Sequence, residues 1–368
     1  MIGRSENLGG SVWSGWGSLD EGKSVCEVGK DVEREMPKFV RISGGDISGK
    51  VDCLELEDVR IYRVADADDV AWPARALFSQ LTDEEMSSAE PLLPPGALNA
   101  ARSEIRLSFN SFLIQTPTFV ALIDAGIGNG KVRLDRPAWH LRSGAFLSDL
   151  EALGFPPDRI DLVINTHLHA DHVGWNTVAE GLVWRPTFRR ARYVVPRNEL
   201  EHWLMLDRDA PAGTILHGAF ADSVQPLLDA GVLDAVPVPS ELGHGLRLEP
   251  APGHSPGMAV VRLTAGKRSV LFLADVVHHP LQLAMPHIGS NFCADPAQAR
   301  ATRDRILADS FDDSTILAPY HFTSPAFGCL REENGGLGFS PLLQQGCVQD
   351  HANWPMALSS GQGTGSSR

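Results

Sequence analysis

At 368 residues and 43% hydrophobic content, the chain is long enough for two average domains or for one large α/β domain with extensions, and it has ample material for a core. A net charge of -14 without any stripe of clustered Lys and Arg excludes a nucleic-acid binder, because phosphate contacts need concentrated positive charge; Arg185–Arg192 reads as a short solvated run. Five scattered cysteines without CxxC spacing exclude a thiolate zinc site or a disulfide framework, so free thiols are expected.

No apolar run reaches signal-peptide or membrane-spanning length, so the expected address is the cytoplasm, with no membrane partner. Residues 1–48, rich in Gly, Ser and charge, read as a flexible extension, residues 49–345 as the catalytic domain and residues 346–368 as a flexible tail. Val51–Val64 alternates apolar and polar residues as a strand pair does, and Trp72–Leu98 reads as a loop with a short helix. Ile105–Thr116 and Phe119–Asp124 predict two strands joined across Pro117. The AGIGNG that follows reads as a tight loop rather than a phosphate cradle, since no Lys-Ser/Thr continuation is present.

Ala145–Leu153 carries helical spacing and stops at Gly154 and Pro156. Asp161–Asn165 is a short β-branched strand that opens into THLHADH, where His167, His169, Asp171 and His172 fall within six residues. A lone histidine among the 13 in the chain carries little meaning, whereas this cluster directly after a strand reads as a metal site. Imidazole and carboxylate suit zinc, iron or manganese, and four donors in six residues exceed the needs of one tetrahedral ion, so two metals are expected.

Downstream, Tyr193–Val195 predicts a strand, and Asn198–Leu206 and Phe220–Leu228 predict helices. Leu246–Pro250 leads into PGHSPG, and Met258–Leu263 with Ser269–Ala274 predicts a hairpin ending on Asp275. Asp295-Pro296 opens a helix to about Ala308, and Thr315–Ala318 ends just before His321. His254, Asp275 and His321 lie 82, 103 and 149 residues beyond His172, yet each follows a predicted strand, which in an α/β fold brings them to one sheet edge.

LIDAG around Asp124, THLHADH, PGHSPG, LADVVHH and PYHF occur in an order that resembles the metallo-β-lactamase-fold hydrolases, from about Ile105 to Gly328. The resemblance implies an αββα four-layer sandwich. It implies His167, His169 and His254 as ligands of one metal, Asp171, His172 and His321 as ligands of a second, Asp275 as the bridging carboxylate, and Asp124 as the residue orienting a ligand histidine. Asp171 and Asp275 are the expected catalytic residues. Two divalent cations, zinc first with iron or manganese as alternatives, are the implied cofactors.

Histidine at position 169 and the lack of a nearby cysteine separate the chain from the flavodiiron proteins and the common true β-lactamases. LADVVHHPLQ and ILAPYHFTSPAFG look most like the branch of methyl parathion hydrolases and quorum-quenching lactonases. That implies hydrolysis of a neutral ester or lactone, and of phosphotriesters as a further activity, by water held between two cations, and it makes a homodimer an expectation. A mononuclear iron oxidoreductase resembling persulfide dioxygenases is the alternative. Trp175, Tyr320, Phe322 and His278 are candidates for the substrate pocket, with Phe327 and Trp184 behind them; His278 and His279 otherwise read as hydrogen-bonded wall or structural residues.

Overall fold

The computed structural model describes residues 37–333 and 336–342. The rest of the chain, including most of the expected extension and the whole expected tail, lies outside the described residues. Residues 38–48, assigned from sequence to the extension, instead join the first sheet, as strand β1 (Lys38–Gly44) and the start of β2 (Ile47–Leu56). Phe39, Val40 and Ile42 are buried there, so the strand is held by core packing that its Gly-rich surroundings obscure.

That sheet continues with β3 (Val59–Pro73), β4 (Glu104–Gln115), β5 (Val120–Ile123) and β6 (Leu162–Ile164). A separate hairpin of β7 (Thr177–Glu180) and β8 (Val183–Pro186) follows, and then β9 (Arg192–Pro196) and β10 (Leu233–Val236) complete an eight-stranded sheet in the order 1-2-3-4-5-6-9-10. Pairing is antiparallel up to β5 and parallel from β5 to β10. The second sheet holds β11 (Ser240–Gly243), β12 (Leu246–Pro250), β13 (Ala259–Ala265), β14 (Arg268–Phe272), β15 (Thr315–Ala318), β16 (Gly328–Glu333) and β17 (Gly336–Pro341) in sequence order, with only β14 and β15 parallel.

The strands are apolar on both faces because both faces are covered, and alternation sorts the side chains between two cores. Phe112, Ile114, Ala121, Ile123, Leu162 and Ile164 point to the second sheet and meet Val261, Leu263, Val270, Phe272, Ile316 and Ala318. Their neighbours Leu113, Leu122 and Val163 point outward and pack on Phe146 and Leu150 of helix α3, which follows the short helices α1 (Ala74–Leu77) and α2 (Asp83–Ala89) and spans Phe146–Ala152. On the far side Val260, Leu271 and Leu317 pack on Ile306 and Leu307 of α7 (Pro296–Asp309), the last helix after α4 (Arg197–Asp209), α5 (Gln225–Asp229) and α6 (Leu281–Ala284). The layers are therefore helix, sheet, sheet, helix, as expected. Asp295 caps α7 through the Gln298 N–H, with Pro296 in the first turn.

Among the described residues no helix is long and apolar enough to cross a membrane. Cys53 and Cys293 are free, but Cys329 is disulfide-bonded, which corrects the expectation of free thiols throughout. Pairing is set by the fold and not by local spacing, so the sequence carried no sign of it.

Candidate metal centre

The site is assembled from five loops that leave strands at one edge of the sandwich. Asp124 follows β5, the stretch 165–173 follows β6, His254 follows β12, Asp275 follows β14 and His321 follows β15. All seven candidate ligands converge. Donor atoms of His167, His169, His254 and Asp275 lie within 4.8 Å of one another, as do those of Asp171, His172 and His321.

Asp275 faces both sets. Its Oδ2 is 3.0 Å from His254 Nε2 and 3.9 Å from His167 Nε2, while its Oδ1 is 3.1 Å from His172 Nε2 and 3.3 Å from His321 Nε2. Asp171 Oδ2 stands 3.8 Å from both His172 Nε2 and His321 Nε2.

These approaches leave polar atoms orphaned. His167 Nε2, His172 Nε2 and Asp275 Oδ1 are buried without a hydrogen-bond partner, and His254 Nε2 faces His169 Nδ1 at 2.8 Å. Buried polar atoms are normally paired, so converging orphans of this kind fit two divalent cations bound by imidazole and carboxylate.

The opposite ring nitrogens are held. His172 Nδ1 donates to Asp124 Oδ2 at 2.9 Å and His321 Nδ1 donates to the Ser108 carbonyl at 3.0 Å, which leaves both Nε2 lone pairs directed at the cluster. Asp124 also accepts from the Thr166 N–H and hydroxyl, and Thr166 Oγ1 lies 3.1 Å from His167 Nδ1, so one carboxylate orients two candidate ligands.

Burial pushes His167 and His169 well below the ordinary histidine value. At His172 burial works the same way, but Asp275, Asp124 and Asp171 outweigh it and the ring is pushed well up; His254 is pushed up to about 9, with Asp275 overcoming burial. Asp275 is held well below the carboxylate range despite its burial, by His172, His321, His254 and His278. The carboxylates thus favour positive charge at this point.

Several buried polar residues that carried no sequence signal hold these loops. Glu199 of α4 accepts from the Leu168 N–H (3.1 Å), Trp203 Nε1 (2.6 Å), Ser255 Oγ (2.7 Å) and the Gly257 N–H (3.0 Å), tying the 165–173 loop to the His254 loop. Asn110 Nδ2 donates to the carbonyls of Tyr320 and Phe322, on either side of His321. In the glycine-rich loop the N–H groups of Ile127 and Gly128 donate to Asp66, itself paired with Arg142, so the amides that would cradle a phosphate are already occupied. This loop packs on the end of the histidine loop, where a Cβ on Gly174 would lie 1.8 Å from the Ile127 carbonyl oxygen.

A cavity of about 470 Å³ opens from the cluster and is lined by His169, Asp171, Asp275, His278 and His321 at its base. Its walls are Trp72, Leu107, Phe109, Trp139, Trp203 and Leu216. Of the pocket candidates, only His278 lines it. Trp175 is buried and stacked on Phe146 at 5.7 Å, and Phe322 packs on Phe339, so both belong to helix-facing cores. Tyr320 stacks on His172 at 3.9 Å and its hydroxyl donates to the Asp171 carbonyl, a place beneath the site rather than on its wall.

Phe327 fills the core between the sheets, and Trp184 covers the Lys131 ammonium. The wall aromatics come from strands and loops far apart in sequence, so linear proximity to the motif misidentified them. His278 Nε2 is 3.2 Å from Asp275 Oδ2 without hydrogen-bond geometry, and burial pushes the ring down to about 4. His279 turns away and bonds the Ala97 carbonyl.

The model of the metallo-β-lactamase superfamily matches residues 106–321. A probable metallo-hydrolase of Mycobacterium tuberculosis is 31% identical over 209 residues, covering 50% of this chain and 61% of that protein; the Mycobacterium bovis counterpart matches equally. The chain thus spans less than two thirds of the length of these curated relatives. Among solved structures, the hydrolase AbOPH of the β-lactamase superfamily aligns with a TM-score of 0.65 at 21% identity, covering 85% of this chain and 100% of that one. AidC, a dizinc quorum-quenching lactonase solved with N-hexanoyl-L-homoserine, aligns with a TM-score of 0.63 at 19% identity and the same coverage. At these identities the likeness is one of fold.

Proposed function

The chain belongs to the metallo-β-lactamase superfamily, and on that premise we propose that it is a metal-dependent hydrolase of carboxylic esters or lactones, with phosphotriesters as an additional activity. The observation that carries the reading is the division of Asp275 between two donor sets, Oδ2 toward His167, His169 and His254 and Oδ1 toward His172 and His321. His167, His169 and His254 would hold one cation, Asp171, His172 and His321 the second, and Asp275 both, with zinc the best match to the donor set.

Two such cations supply Lewis acidity and lower the pKa of water toward neutrality. The chain's own residues do the remainder. Asp124 fixes the proton of His172 on Nδ1, and the Ser108 carbonyl does so for His321. Asp171, at the base of the cavity, is placed to carry a proton at Oδ2 to the leaving alcohol oxygen. His278 shares that base, where its ring lies with Asp275 and His321 in a third group of donor atoms. The aromatic walls exclude bulk water and suit an apolar acyl or aryl group. A small-molecule substrate follows from the cavity's size.

The alternative, one iron with oxidoreductase chemistry, leaves the Asp171, His172 and His321 set without a task, which favours the hydrolase. Protein purified without chelators should carry about two zinc ions per chain and turn over an acyl-homoserine lactone or an aryl ester. Asp275→Asn should lose metal and most of the hydrolysis. One iron per chain with no hydrolysis of lactone, ester or phosphotriester would sink the reading.

A further inference from the structure

The base of the cavity is built from the buried Asp171, Asp275, His278 and His321 with the half-buried His169, whereas its outer end is formed by the exposed or half-buried Asp135, Arg136, Thr214 and Phe292. A line of rings joins the two ends. Phe109 stands edge-on to His321 at 5.3 Å and edge-on to Trp139 at 5.7 Å. The Arg136 guanidinium then lies 5.9 Å from the Trp139 ring centre and 5.6 Å from that of Phe292.

Arg136 is the only Lys or Arg among the described residues that line the cavity, and among the described residues no carboxylate lies within ion-pair distance of it. The adjacent Asp135, the nearest carboxylate in sequence, is turned to His217 across the opening. Among the described residues the one hydrogen bond its guanidinium makes is a long one, 3.5 Å to the Asp135 carbonyl. Ring contacts occupy the faces of a guanidinium and leave its in-plane N–H fork open, and that fork matches a carboxylate bidentately.

We propose that Arg136 forms a subsite at the cavity mouth for a carboxylate carried by the substrate, remote from the ester or lactone that is cleaved. The inference rests on the hydrolase reading for its turnover test, and a binding test separates the two. Aromatic walls take the connecting chain, and Trp139 and Phe292 hold the guanidinium so that little freedom is lost when the carboxylate arrives. The substrate class is then an amphiphilic ester or lactone with an anionic end.

The experiment uses the metal-loaded full chain and p-nitrophenyl half-esters of dicarboxylic acids of increasing length, each paired with its methyl-capped diester. In the wild type the half-ester should overtake the diester in kcat/KM once the chain is long enough. Arg136→Met, which keeps the apolar stem, should lower the half-ester to diester ratio of kcat/KM about tenfold, chiefly through KM. Arg136→Lys should recover part of it.

In parallel, calorimetry compares suberate with octanoate, and the preference for the dicarboxylate should disappear in Arg136→Met. An unchanged ratio in Arg136→Met, or an equal loss on both esters and both acids, overturns the subsite. Absence of all ester turnover while suberate is still preferred by the wild type and not by Arg136→Met overturns the hydrolase reading and leaves the subsite standing.

Discussion

Replacing Glu199 with glutamine converts one of two buried acceptor oxygens into a donor. Each Glu199 oxygen receives two hydrogen bonds, Oε1 from Leu168 N–H and Trp203 Nε1 and Oε2 from Ser255 Oγ and Gly257 N–H. Whichever oxygen is replaced, two bonds are lost and donors face donors. At about 1.5–3 kcal/mol for a bond to a charged acceptor the gross loss is about 3–6 kcal/mol. Removing a buried charge returns part of its desolvation cost, so a net destabilisation of about 3 kcal/mol is expected.

The same carboxylate ties the loop of His167 and His169 to that of His254, so metal affinity should fall about 10- to 100-fold, as for other residues that orient metal ligands. Urea unfolding gives the first quantity and chelator competition against zinc the second. Ser255→Ala, alone and combined with Glu199→Gln, completes a double-mutant cycle that should show coupling, because the two residues share a bond. Stability within about 0.5 kcal/mol of wild type together with unchanged zinc affinity would refute the claim that Glu199 holds the two loops in register.

The fully buried His279 bonds the Ala97 carbonyl through Nε2 and accepts from the Leu281 N–H at Nδ1, and burial pushes it from 6.5 down to about 4. The unfolded chain takes up this proton first, so its stabilising contribution is complete above about 6.5 and is lost as pH falls toward about 4, worth about 3 kcal/mol. His279→Gln should flatten that part of the stability–pH curve in urea titrations; an undiminished slope would argue against it. Gly174→Ala drives a Cβ to 1.8 Å from a backbone oxygen that cannot yield, and should cost about 3 kcal/mol and lower Tm by about 6 °C. A thermal shift under about 1 °C would show that the loop relaxes freely.

The local chemistry of this protein was legible in its sequence. HxHxDH after a short β-branched strand, and single His or Asp residues after later strands, mark candidate ligands because a side chain at a strand's end has one address, the sheet edge, whatever the intervening chain does, and the donor atoms do converge there. Asp295-Pro296 likewise announced a helix start from capping chemistry alone. Tertiary structure decided what depends on contacts between distant segments. Glu199, Asn110 and Asp66 gain their roles only because folding removes them from water beside amides and carbonyls that need partners.

The cavity wall follows the same rule. Trp175 and Phe322 sit near the candidate ligands in sequence yet pack into the helix-facing cores, on Phe146 and Phe339, while Phe109, Trp139 and Trp203 reach the cavity from elsewhere. Strand β1 and the Cys329 disulfide were also invisible beforehand. Spacing along the chain specifies which groups can bind a metal, whereas the surfaces that choose a substrate are composed by packing.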